Sequence, residues 1–127
     1  MLSNNYSVTF REVLIMTVPA MADNKTTVKE LREIVAKFVH ERKWEPYHQP
    51  KNLAASISIE AAELLEIFQW EDIESSDAKI NKHLMAQIKG EAADIMIYLL
   101  SLANSLEFDL TEAVSHKMEH NRKRFKV

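Results

Sequence analysis

The sequence predicts an all-α protein, an antiparallel bundle of four helices in one domain, on three observations. Turn-forming residues are scarce: 127 residues contain one Gly and three Pro, far too few for the tight turns of a β-sandwich or barrel. Apolar residues recur at helical spacing in four segments, about 100° apart per residue. The connections between those segments are short, which makes successive helices antiparallel neighbours. A chain of this length can bury a real core, and a partner subunit would enlarge it.

Residues 1–22 read as an N-terminal extension of unclear role, and residues 23–127 as the domain. Val13 to Val18 is apolar, and Ala20-Met21-Ala22 loosely mimics a cleavage site, but Arg11 is the single basic residue ahead of the run and Pro19 breaks it. An appended segment, or an arm that packs on a neighbouring subunit, is favoured over a signal peptide. The first helix starts at Thr27, where Thr27-Val-Lys-Glu30 has the form of a capping box. Val28, Leu31, Ile34, Val35 and Phe38 carry its apolar stripe to about Arg42. Pro46 and Pro50 imply an extended connection. The second helix runs from Lys51 or Asn52 to Trp70, and Glu71 to Ser76 is a polar linker. The third begins near Asp77, breaks around Asn81 and ends near Leu106; it is apolar on nearly every side from Ile95 to Leu102, as a central helix must be. Asp109-Leu-Thr-Glu112 caps the fourth, which reaches about Arg124.

Two of these helices carry the same fault. In the second, Leu53, Ile57, Leu64, Ile67 and Phe68 share the core-facing side, yet Glu60 projects from its middle and Glu63 from its edge. In the third, Leu84, Ile88, Ile95, Leu99, Leu102 and Leu106 share a face from which Glu91 projects, flanked by Asp94. A carboxylate in an apolar stripe costs several kcal/mol unless it is compensated. A single i,i+3 acidic pair is ordinary solvated charge, whereas two on core faces point to one pocket. Four carboxylates there repel unless protons or divalent cations relieve them. The all-oxygen set favours Mg²⁺, with Mn²⁺ as a substitute, over zinc. No Glu-x-x-His element lies on either acidic helix, the one in the chain being Glu45-Pro-Tyr-His48 in the connection, which argues against a di-iron site. Mg²⁺ held by carboxylates keeps positions for water and phosphate, so the chemistry is attack of water on a phosphoanhydride.

The remaining polar residues on apolar faces fit that chemistry. Lys117 and Asn121 share a face of the fourth helix with Leu110, Val114 and Phe125, and Arg124 stands at its edge. They suit a phosphate chain, or equally a snorkelling lysine and a solvated basic end. Trp44, Tyr47 and His48 cluster at the connection before the second helix, with Trp70 at its far end; they could stack a base or simply pack. Gly90, beside Glu91, reads either as a close helix crossing or as room for a ligand. His116 and His120 lack a third soft ligand and read as surface residues.

Composition excludes other classes. A net charge of −3 gives no case for a nucleic-acid polymer. No apolar run reaches the ~18 residues of a membrane span. The absence of Cys excludes disulfides and thiolate metal sites and fits a cytoplasmic setting.

The chain resembles the all-α MazG-like nucleotide pyrophosphohydrolases, in particular the small branch that includes the dCTP pyrophosphatases. The resemblance rests on His48-Gln-Pro-Lys-Asn52, on Glu60-Ala-Ala-Glu63 through Trp70, on Gly90-Glu-Ala-Ala-Asp94 through Tyr98, and on Lys117 through Phe125. It implies Mg²⁺-dependent cleavage of a nucleoside triphosphate, often a deoxynucleotide, to monophosphate and pyrophosphate. It implies a homodimer or a tetramer of paired dimers. Glu60, Glu63, Glu91 and Asp94 match the metal ligands and catalytic acids, with Glu63 the candidate to orient or deprotonate water. Lys117, Asn121 and Arg124 match phosphate contacts, and His48, Lys51, Asn52, Trp70 and Tyr98 match pocket residues near base or sugar. The rival reading is a non-catalytic helical module that binds a partner helix.

Overall fold

The computed structural model describes residues 20–70 and 72–127. The apolar run Val13–Val18 and most of the expected extension lie outside them. Helix α1 is Val28–Glu41, α2 Pro50–Glu66, α3 Ser75–Ile80, α4 Lys82–Leu106 and α5 Leu110–Arg124. There is no strand among the described residues, and no described helix is long and apolar enough to cross a membrane.

Three of the described helices, α1, α4 and α5, start at side chains that cap them. At Thr27 both halves of the capping box are formed: Glu30 N–H donates to Thr27 Oγ1, and Thr27 N–H donates to Glu30 Oε2. The break expected near Asn81 is real. Asn81 is extended and its Oδ1 accepts from Leu84 N–H at 3.0 Å, so it ends α3 and caps α4. Asp109 caps α5 through Glu112 N–H at 2.8 Å.

Two boundaries differ from expectation. The connection before α2 is not extended: Glu45–Tyr47 is a short 3-10 helix, and Pro50 is the first residue of α2. Proline's fixed φ suits both places, and a first-turn position needs no N–H from it. Helix α2 also stops at Glu66 rather than Trp70. The chain tightens there into Phe68 N–H to Leu65 O and Gln69 N–H to Glu66 O turns, and Trp70 is 86% exposed, without packing to hold a further turn in place.

Helix α4 is central. It takes part in every substantial helix packing, against α2 most extensively, then α1 and α3. The core lies along it: Leu100, Ser101 and Ala103 are buried, against Val35 of α1 and Leu53 of α2. A polar clamp fastens α1 to α4. Arg32 Nε donates to Asn104 Oδ1 at 3.0 Å, and Asn104 Nδ2 donates to Arg32 O at 3.0 Å. Arg32 Nη2 adds a bond to Ala103 O at 3.2 Å. The chain reverses after α4 at Glu107, whose φ of 55° is left-handed, a position that costs a non-Gly residue about 1 kcal/mol.

Helix α5 stands apart. It makes no comparably large packing with the other described helices, and residues 111–120 are all exposed. Large apolar side chains are exposed elsewhere too, among them Ile59, Leu65 and Ile80. The all-α fold is as expected, but among the described residues the bundle's interior is built by α1, α2 and α4, with Ala78 of α3.

Candidate metal centre

Glu60 and Glu63 are one turn apart on α2, and Glu91 is on α4. The packing of α2 on α4 brings them together: one carboxylate oxygen from each lies within 4.8 Å of the others. Glu60 and Glu91 are half-buried and Glu63 is exposed. The apolar neighbours that the sequence gives these acids are why. Leu53, at the head of the same face of α2, is 2% exposed and drives that face onto α4.

The cluster is electrostatically strained. The Glu60 carboxyl is pushed up to about 7, first by partial burial, then by its hydrogen bond to Glu63 and by the charges of Glu63, Asp94 and Glu91. Burial also raises Glu91, reinforced by the charges of Glu63 and Asp94. Glu91 Oε2 is shut off from solvent without a hydrogen-bond partner among the described residues. A carboxylate oxygen shut off from water and left unpaired is unfavourable. Three clustered carboxylates with an orphaned oxygen are a donor set that a hard divalent cation satisfies. Asp94, the fourth expected member, is outside that set of three. It acts on Glu60 and Glu91 through its charge and lines the neighbouring cavity.

That cavity has a volume of about 490 Å³ and lies between α1, the 3-10 turn, α2 and α4. Phe38, Trp44 and Tyr47 make its aromatic wall, with Phe38 and Trp44 edge-to-face at 5.8 Å. His48, Asn52, Asp94 and Tyr98 also line it. Two of these are oriented by the backbone of the short turn. His48 Nδ1 donates to Trp44 O at 2.9 Å, and Asn52 Nδ2 donates to Tyr47 O at 3.1 Å. A carbonyl can only accept, so the neutral His48 ring keeps Nε2 as an acceptor, and Asn52 keeps Oδ1. Asp94 lines this cavity and acts by its charge on the carboxylate cluster, so a planar group and a charged group could be held side by side.

The structure therefore brings together Glu60, Glu63, Glu91, Asp94, His48, Asn52 and Tyr98. It leaves Lys51, Trp70, Lys117, Asn121 and Arg124 outside the cavity lining. Lys117 and Arg124 are exposed on α5, where the Arg124 guanidinium lies 5.1 Å from the Phe125 ring centre. Gly90 is not a close crossing: a Cβ added there would meet nothing within 4 Å. Phe38 and Ser101 line the cavity and were not anticipated as site residues. Ser101 had a signal, being a polar residue in the stretch that is otherwise apolar all round.

Comparison with known proteins identifies relatives of the chain. The dCTP pyrophosphatase 1 of Bos taurus is 38% identical over 112 residues, spanning 87% of this chain and 66% of that protein. The dCTP pyrophosphatase 1 of Homo sapiens is 39% identical over 100 residues, spanning 78% and 59%. The chain thus matches less than two thirds of the length of these relatives. A pyrophosphatase of solved structure from Archaeoglobus fulgidus is 39% identical, with a TM-score of 0.71 over 87% of this chain and 99% of that one. The sequence pattern of the MazG-like family matches residues 55–127, which hold both acidic pairs. With more than half its length so matched, the chain belongs to the MazG-like family.

Proposed function

We propose that this protein is a Mg²⁺-dependent nucleoside triphosphate pyrophosphohydrolase that converts a (deoxy)nucleoside triphosphate and water to the monophosphate and pyrophosphate. The observation that carries this reading is the approach of Glu60, Glu63 and Glu91 within 4.8 Å, beside an aromatic cavity. The family membership and the names of the relatives support it; those relatives make a deoxynucleotide such as dCTP the first substrate to test, in a role of clearing the nucleotide pool.

Glu60, Glu63 and Glu91, with Asp94 beside them, would hold the cation. When bound, it supplies positive charge against the triphosphate and acidifies water, which is chemistry that suits attack on phosphorus. Mg²⁺ fits the all-oxygen set, and Mn²⁺ can substitute. Glu63, the most exposed of the three, orients the attacking water and takes its proton. The new bond joins water oxygen to the α-phosphorus, and the α–β bridging bond breaks to release pyrophosphate. Trp44 and Tyr47 flank the base, while His48, Asn52 and Tyr98 offer polar contacts to base or sugar. Lys117, Asn121 and Arg124 neutralise phosphate charge.

The chain acts as a homodimer or as a tetramer of paired dimers. The exposed apolar side chains of α2, α3 and α5 support that assembly, because a lone chain rarely leaves so much apolar surface uncovered. The deciding experiment is a panel of nucleoside triphosphates with Mg²⁺, scored for pyrophosphate against orthophosphate. Pyrophosphate release from at least one deoxynucleotide is expected. Orthophosphate alone, or no release from any, rejects the reading.

A further inference from the structure

Ser101 is the polar residue that the core does not explain. It lies on α4, two turns beyond Asp94 and one turn beyond Tyr98, and is 4% exposed. Its Oγ has no hydrogen-bond partner among the described residues, neither on a neighbouring helix nor on its own preceding turn. A serine inside a helix commonly bonds the carbonyl four residues back, and this one does not. It lines the aromatic cavity, and it also lines a second, adjoining cavity of about 450 Å³ that carries His40, Glu45 and His48. His48 and Ser101 are thus polar members of the wall between the two.

We infer that Ser101 is a specificity-determining residue: its hydroxyl is the inner polar contact that reads the edge of the nucleobase seated between Trp44 and Tyr47. This rests on the pyrophosphohydrolase reading given above. The physical basis is an asymmetry. A buried hydroxyl left unpaired is unfavourable whatever else fills the cavity. A base that presents a nitrogen or oxygen there satisfies it, while a base that presents a methyl or ring C–H leaves it stranded. Sites built on a hydrogen bond reject the analogue that lacks it far more strongly than an apolar wall can. The hydroxyl can donate or accept. His48 Nε2 and Asn52 Oδ1 are held as acceptors by their bonds to the turn. Ser101 is therefore the adaptable partner in a ring of fixed ones, and it sets which of several similar bases is preferred.

The test uses the full chain and its Ser101→Ala variant, with Mg²⁺ and each of dATP, dCTP, dGTP and dTTP. No protein group loses a partner when this Oγ is removed, so the variant folds and melts at the same temperature or higher. The expected result is a KM for the preferred nucleotide raised about tenfold, the loss of roughly one neutral hydrogen bond. Its kcat stays within about twofold, and the ranking of the four by kcat/KM is flattened by a similar factor. A KM that is unchanged or lower, a rise shared equally by all four nucleotides, or a lowered melting temperature each overturns the role. Absence of pyrophosphate release by the unmodified chain is a separate outcome. It removes the underlying activity and the inference with it, and it is visible before the variant is made.

Discussion

Glu60 of α2 and Glu91 of α4 stand on different helices, yet their carboxylates share one cluster while both side chains are only half-exposed. Nothing in the local sequence of either helix requires this. It follows from the packing of the two apolar faces, which carries the acids together as Leu53 goes into the core. The charge thus works against the fold and for the site. Substitution of Glu60 by Gln keeps the shape and removes one charge from the repulsion. The expected outcome is a protein that melts no lower than the original in EDTA, while pyrophosphate release falls more than about a hundredfold. Loss of a supporting contact alone can weaken a metal site 10–100-fold, and loss of a ligand weakens it more. Activity near that of the unmodified chain would contradict the metal centre.

The same cluster dictates a pH dependence. Glu60 titrates at about 7 in the folded chain against an ordinary 4.5. Between those values the folded state keeps a proton that the unfolded state has released. Stability in EDTA therefore falls as pH rises from about 4.5 to about 7 and levels off above. Glu91, also raised, adds in the same direction. Divalent cations need the deprotonated carboxylates, so their affinity rises over the same interval and a cation restores stability most at alkaline pH. Thermal melts at about pH 5, 6, 7 and 8, with EDTA and with Mg²⁺, test both slopes. In Glu60→Gln the EDTA profile should be flatter; an unchanged slope would assign it to other groups.

Much of this was legible in the residues because the signals were local or periodic. Thr27 and Glu30 mark a capping box three residues apart, Asn81 is a cap in the middle of an apolar pattern, and Glu60 and Glu91 interrupt apolar stripes. What was not legible depended on tertiary space. Helix α2 ends four residues early because no described residue covers Trp70, which no pattern within the helix records. The aromatic cavity needs α1, the 3-10 turn and α4 at once, so Phe38 reads as plain core until the turn folds back over it. Ser101 carried the same signal as Glu60, a polar residue in an apolar setting, but a small hydroxyl is a much weaker anomaly than a charge.

Gly90 offers a prediction about stability alone. It sits inside α4 with no positive φ, and a methyl there would touch nothing within 4 Å. Gly in a helix interior is less favourable than Ala by about 0.5–1 kcal/mol. Gly90→Ala should therefore raise the melting temperature by a few degrees, on the order of 2–6 °C, with the Glu91 side chain left in place. Calorimetry reads it directly. A lower melting temperature would mean that another copy of the chain covers this part of α4.

Helix α5 leads to the last prediction. Val114 is 55% exposed and Met118 46%, with Phe125 beyond them at 66%. These side chains lie on a helix that the rest of the described chain barely supports. An isolated helix of 15 residues is marginal in water, so its stability must come from burial against another surface. In the proposed assembly a second copy would supply that surface, and light scattering should then report a dimer or larger assembly. Val114→Glu combined with Met118→Glu should shift it toward monomer, because charge at a buried apolar contact is strongly unfavourable. Lys117 and Asn121 ride on the same helix and do not line the cavity of their own chain. The monomeric variant should therefore lose turnover while its Glu60, Glu63 and Glu91, all from one chain, still bind Mn²⁺ by calorimetry. Full turnover in a proven monomer would remove any need for assembly and would leave α5 without a catalytic part.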